Sequence, residues 1–337
     1  MINPTSSPET FHYPVMLNEV TKLCSPEKGG VYIDCTFGGG GYSKNILKFE
    51  NTKVIALDRD KYILTISNNL KKKYPKRFFF HQKKFSQIGT VIDDKSAEAV
   101  IFDLGLSTIQ LKNLDRGFSF NSKSSLDMSM GLSTISAEEV INKFSEQKLK
   151  FIIKILGEEK DAYLIAKNIV KARSSKKISK VNQLVDIIKK SKRKTYDKKI
   201  NVSTKTFQAL RIYVNKEITE LIEGIISASK VLKPGGKMLV VSFHSIEDKI
   251  IKYFFSNFSS NKSKPSRYVP YSSNTKSFLF NQYKNKIFKP TTEEINENPS
   301  SRSAKLRYAI RSKNNFIYPK EMINKFQKYI DLENSYV

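Results

Sequence analysis

Two stretches of this 337-residue chain combine glycines with carboxylates at a spacing suited to a bound nucleoside. Asp34 is followed by Gly38-Gly39-Gly40-Gly41, and Asp58 stands eighteen residues beyond Gly40. Glycines let a ligand approach the backbone closely. A carboxylate at the end of the next strand can accept hydrogen bonds from both ribose hydroxyls. The pair alone indicates an adenosine-containing cofactor, nicotinamide dinucleotide or S-adenosylmethionine alike. Ser43 stands where the dinucleotide fingerprint has its third glycine. That glycine helps seat a pyrophosphate, which S-adenosylmethionine lacks. The Pro234-Gly235-Gly236 turn before a late strand, and a closing strand near the C-terminus, also favour a methyltransferase over a dehydrogenase. Asp103 opens the run Asp-Leu-Gly-Leu-Ser (103–107) after another apolar stretch, where a carboxylate could accept hydrogen bonds from a substrate amine. Many methylases of exocyclic amines carry Asn-Pro-Pro-aromatic or Asp-Pro-Pro-aromatic at this point. This chain does not, and taken alone that argues against amine methylation.

The elements that must position these residues read as an α/β fold. Strand-like runs fall at 31–35, 53–58, 77–81 and 99–103, with helical stretches from about Ser43 and over 61–73, the pattern of a parallel sheet covered on both faces. After Leu104 the strands stop for about 95 residues. Ser136 with Glu139 makes a capping box, and helices are expected over 146–156, 158–173 and 180–190. A single long helix from Thr206, with Phe207, Leu210, Val214, Ile218, Leu221 and Ile225 on one face, leads back to the sheet. A strand over 237–243, a helix over 246–258 and a strand over 306–311 complete it. The expectation is a Rossmann-like, seven-stranded methyltransferase sheet. It assigns residues 1–108 plus 206–316 to that domain, 109–205 to an inserted helical and basic substrate-binding domain, and 317–337 to a C-terminal tail.

The net charge of +27 attracts polyanions. Residues 171–205 hold thirteen Lys/Arg against Asp186 and Asp197, so +11 of the total sits in a tenth of the chain. Residues 260–290 hold seven Lys/Arg and no acid, interleaved with Tyr268, Tyr271, Phe278, Phe280, Tyr283 and Phe288, a mixture suited to phosphate contact and base stacking. Cys24 and Cys35 are the only cysteines, with no CxxC and three histidines, so neither a metal site nor a disulfide framework is expected, and a reducing cytoplasm fits. No apolar run is long enough to span a bilayer, and the first residues do not read as a signal peptide. Oligomeric state has no signature here.

The motifs in sequence resemble the bacterial 16S ribosomal RNA cytosine-N4 methyltransferase family. The matching blocks are HYPVML (12–17), YIDCTFGGGGYS (32–43), ALDRD (56–60), FDLGLSTIQL (102–111), DRGFSF (115–120), LDMSM (126–130), TFQALRIYVN (206–215), SFHSIEDKIIK (242–252) and ENPSSRSAKLR (297–307). The resemblance implies a cytosine N4 amine in 16S ribosomal RNA or the small subunit as substrate. It implies S-adenosylmethionine as cofactor, with contacts from Gly40, Gly41, Tyr42, Asp58, Phe85, Asp103 and Gln110. Asp103 is then the acceptor for the amine, and His244 a substrate contact at the end of the fifth strand. Three positions depart from the family pattern: Gly39 stands for Arg, Tyr42 for His and Ile109 for Pro.

Overall fold

The computed structural model describes residues 14–192, 201–260 and 278–335. Its sheet consists of β1 (Gly30–Asp34), β2 (Thr52–Asp58), β3 (Phe78–Gln82), β4 (Ala97–Asp103), β5 (Leu232–Ser242) and β6 (Lys305–Ile310). The order is β3-β2-β1-β4-β5-β6, parallel throughout except for antiparallel β6. The chain therefore reverses direction across the sheet between β1 and β4, the crevice where open α/β sheets hold ligands.

Six strands are found among the described residues, not seven. Beyond β6, where a seventh would lie, the chain makes only isolated antiparallel bridges, Phe280 with Arg311 and Phe288 with Leu306. Three extra residues lie between these bridges on the outer chain, so no continuous ladder forms. Arg311, fully buried, holds this irregular segment by donating to the carbonyl oxygens of Ser229, Leu279, Ser312 and Asn314.

The helices are α1 (Leu17–Cys24), α2 (Gly41–Ile46), α3 (Leu64–Lys73), α4 (Thr108–Lys112), α5 (Ala137–Lys143), α6 (Glu146–Leu156), α7 (Ala162–Ser175), α8 (Val181–Ser191), α9 (Thr204–Asn215), α10 (Glu217–Val231), α11 (Ser245–Asn257), α12 (Thr292–Glu297) and α13 (Lys320–Asn334). One sheet face packs with α1 to α3. The other shares a single apolar core with the helices between β4 and β5 and with α13. The alternation is visible along β4, whose Ala99 and Ile101 face one core and Val100 and Phe102 the other. Among the described residues no helix is long and apolar enough to cross a membrane.

Two segments differ from the sequence expectation. The single long helix is two, because Lys216 adopts a left-handed conformation (φ 49°) between α9 and α10. Asn215 secures this elbow. Its amide donates to the carbonyls of Met128 and Arg211, and its Oδ1 accepts from the Met130 amide and the Ser133 hydroxyl. The stretch read as a C-terminal tail instead contains α13, which buries Met322, Phe326 and Tyr329 on one face.

Candidate functional site

The carboxyl ends of β1, β2, β4 and β5 open into a cleft of about 1210 Å³, including its mouth. Its floor is the glycine turn after β1. Gly38 and Gly40 both have positive φ (48° and 74°), which a side chain would strain. Gly38, Gly39, Gly41 and Tyr42 line the cleft. A Cβ on Gly40 would meet the Phe37 ring at 2.8 Å, so this glycine serves the turn into α2. Ser43 is bonded rather than merely tolerated: its hydroxyl donates to the fully buried Asp34 carboxylate at 2.7 Å, pinning α2 to the end of β1. Burial pushes the Asp34 carboxyl up to about 6.

Asp58 ties the floor to the second strand. Its Oδ2 accepts the Gly38 amide at 2.8 Å and its Oδ1 the Asp60 amide at 2.9 Å. Each oxygen retains a further lone pair for a ligand. Burial raises this carboxyl above its ordinary value. Phe85 forms part of the wall, edge-on to Phe102 with ring centroids 5.3 Å apart. Gly224 of α10 makes room for it, since a Cβ there would lie 2.4 Å from the ring. Glu220, also on α10, holds the adjoining turn by accepting from the Ser86 amide (2.8 Å) and hydroxyl (3.0 Å).

At the end of β4 the Asp103 amide donates to the Thr36 hydroxyl at 2.7 Å, joining the loops after β1 and β4. Asp103 lines the cleft, and its Oδ1 is buried without a hydrogen-bond partner. Burial above all, with Asp34, Glu247 and Glu294 nearby, pushes this carboxyl up to about 8. The Tyr42 hydroxyl donates to the Val15 carbonyl at 2.5 Å and lies beside Asp103. Burial, reinforced by that carboxylate, raises the phenol well above its ordinary value.

Gln110 lines the same cleft, but its side chain is committed. Oε1 accepts the Ser107 amide, completing the α4 capping box, and Nε2 donates to Asp60 at 2.9 Å. Asp60 also receives Arg116 at 2.5 Å. Ile109, which stands for the family's proline, therefore sits in an α4 already fixed at its N-terminus. His244 lies between β5 and α11. It caps α11, its Nδ1 accepting the Glu247 amide, and it does not line the cleft.

Sequence reasoning missed Glu217 and Glu247, both in the cleft wall. Arg211 grips Glu217 through two bonds of 2.8 and 2.9 Å. Glu247 accepts the amides of Phe243 and His244 and lies 3.1 Å from His244 Nε2. Although burial works against ionisation, the imidazole and the Phe243 amide hold the Glu247 carboxyl below its ordinary value. The donor atoms of Glu217, His244 and Glu247 lie within 4.8 Å of one another, a spacing that could accept a cation. Arg211 already supplies the balancing positive charge there. In total five carboxylates, Asp58, Asp103, Glu217, Glu220 and Glu247, line the cleft against Arg59, Lys83 and Lys84.

Cys35 also lines the cleft. Its thiol is buried, and that burial, with Asp34 and Glu220 nearby, raises it well above its ordinary value, the opposite of what a nucleophile needs.

The basic segments divide. Lys171, Lys176, Lys180, Lys189 and Lys190 are exposed. Arg173 instead binds the carbonyls of Ile141 and Phe144, and Lys192 is buried against Glu159 at 2.6 Å. Residues 193–200 lie outside the described residues, as do Tyr268 and Tyr271. Two aromatics proposed for base stacking belong to the core: Phe280 packs against Phe254 and Phe255 at 5.3 Å, and the buried Tyr283 receives Arg307.

Comparison with known proteins places these residues in a family. The model of the MraW methylase family matches residues 9–312. Ribosomal RNA small subunit methyltransferase H of Ehrlichia canis (strain Jake) is 41% identical over 305 residues, 89% of this chain and 100% of its own. The protein of the same name from Neorickettsia sennetsu (strain ATCC VR-367 / Miyayama) is 41% identical, covering 90% of this chain and 96% of its own. That from Wolbachia sp. subsp. Drosophila simulans (strain wRi) is 40% identical over 300 residues, 88% of this chain and 97% of its own. Matched by the family model over most of its length and by these relatives over nearly all of theirs, the chain belongs to the MraW methylase family.

Proposed function

We propose that this protein methylates the N4 amine of a cytosine in 16S ribosomal RNA, with S-adenosylmethionine as the methyl donor. The observation that carries the reading is Asp103, a residue of the cleft lining with one buried carboxylate oxygen that has no hydrogen-bond partner and calls for a donor or a cation. The cleft's residues fit the cofactor. Asp58 keeps lone pairs free for ribose hydroxyls, Phe85 offers a flat wall for adenine, and the acidic lining suits a molecule bearing a sulfonium and an ammonium. When bound, the cofactor supplies an activated methyl group.

What remains for the protein is alignment and electrostatics. The cytosine amine is a weak nucleophile because its lone pair is delocalised into the ring. Asp103 accepts a hydrogen bond from it and favours the positive charge that develops on nitrogen. With the cationic donor beside it favouring its ionised form, the carboxylate can also take up the proton released after transfer. Tyr42 packs beside that carboxylate, and Gln110 fixes the loop that frames the base. The target nucleotide must leave its stack to enter. The helical segment 109–205 holds RNA through exposed lysines such as Lys189 and Lys190. The relatives' shared name, which specifies small-subunit ribosomal RNA, supports this substrate.

The test is mass spectrometry of nuclease-digested small-subunit RNA after reaction with a Cys24→Ser, Cys35→Ser variant. Nitrogen transfer needs no covalent intermediate, so N4-methylcytidine is expected. Detection of 5-methylcytidine, or loss of activity in the folded variant, would overturn the assignment. Calorimetry with S-adenosylmethionine and NAD separates the methyltransferase reading from a dehydrogenase.

A further inference from the structure

The family model ends at residue 312, so α13 lies beyond the segment that the match accounts for. Its last turn nevertheless reaches the cleft wall. α10 begins at the Lys216 elbow, which offers no side-chain cap to the helix. The first amides of a helix need acceptors, and a carboxylate is favoured there. Glu333 of α13 meets that need from outside: Oε1 accepts the Ile218 amide at 3.0 Å, and Oε2 accepts the Thr219 amide at 2.7 Å and its hydroxyl at 2.6 Å. The helix is held on both sides of this contact. Tyr213 donates to the Ser335 carbonyl at 2.6 Å, Lys216 donates to Asn334 at 2.9 Å, and Phe326 and Tyr329 are buried. The α10 turn capped by Glu333 carries Glu217 and Glu220. Glu220 in turn fixes Ser86 next to Phe85.

We propose that α13 is a strap that sets the start of α10, and that Glu333 is a positioning residue for the cofactor-binding wall. The link to cofactor affinity rests on the function proposed above. The strap itself does not. Both are read in the full-length chain, by calorimetry with S-adenosylmethionine and by hydrogen-exchange mass spectrometry of segments 83–90 and 216–224. In Glu333→Ala, exchange in both segments should accelerate about tenfold through local opening. Cofactor affinity should fall about fivefold, within the range relayed through packed contacts. Glu333→Gln keeps the shape, restores part of the cap, and serves if the alanine variant does not fold. Leu70→Ala, which weakens the opposite core, should leave both readouts unchanged when matched for lost stability. Acceleration confined to 320–335, or equal effects from Leu70→Ala, overturns the strap. If the unaltered protein fails to bind S-adenosylmethionine, the cofactor reading falls and exchange alone decides the strap.

Discussion

The Asp103→Asn variant tests the site's electrostatics without any substrate. Asp103 stands at about 8 in the folded protein against 3.8 ordinarily. A carboxyl raised on folding contributes stability that is fully present below its unfolded value and is lost as pH rises through its folded value. From about pH 6 to pH 9 the protein therefore gives up what remains between 6 and 8, about 2.7 kcal/mol at about 1.36 kcal/mol per pH unit. Asp103 borders an open cleft, where water and salt screen its charge, so we expect about half of this, ~1–1.5 kcal/mol. Asparagine is nearly isosteric and does not titrate, so the variant loses none of it. In thermal melts of the ligand-free proteins, the variant should gain about 1.5–2 °C on the unaltered chain across that interval. The same variant should lose methyl transfer by about a hundredfold or more, the usual effect of removing an aimed polar group. Melting curves that move in parallel with pH would refute the argument, because Asp103 would then not be titrating in the folded cleft.

Asp58→Ala removes an acceptor placed for the ribose and the anchor of the Gly38 amide. With charged hydrogen bonds at about 1.5–3 kcal/mol each, calorimetry should show cofactor binding weakened at least about tenfold, and unchanged affinity in a folded variant would remove Asp58 from the site. Gly224→Ala drives a methyl group into Phe85 and should cost about 1–3 kcal/mol of stability as well as cofactor affinity. Adding Phe85→Leu should recover the stability alone, and additive losses in that cycle would mean the two residues are not in contact. Changing Lys171, Lys176, Lys189 and Lys190 together to Gln should weaken RNA binding and flatten its log–log salt slope by up to about 3 for single-stranded contacts. An unchanged slope would make this a solvated face only.

The strands were legible because each is a short apolar run between turn residues, and a parallel sheet buried on both faces leaves little ambiguity. Asp58 and Asp103 followed from strand ends alone. What could not be read depends on contacts distant in sequence. Nothing local marks Lys216 as an elbow; it is held by Asn215 reaching residues 128–133, and without it Glu217 would not begin a helix at the cleft. His244 follows a strand, as its motif suggests, but its role as the cap of α11, completed by Glu247, could not be read from the sequence. The aromatics at 280 and 283 read as a stacking surface because composition does not reveal which way a ring faces. By contrast α13 was available to be read, since Met322, Phe326 and Tyr329 recur at helical spacing.

The five carboxylates of the cleft lie within a chain of net charge +27. Such nesting of opposite signs acts as a sieve on how a polynucleotide can approach. For an RNA held by the outer lysines, the acidic part of the lining would favour entry of an uncharged base over a phosphodiester, with Arg59, Lys83 and Lys84 the only balancing cations among the described lining residues. Ionic strength should then separate the two ligands: salt loosens the many exposed contacts to RNA far more steeply than the hold of a few cleft carboxylates on a small cation.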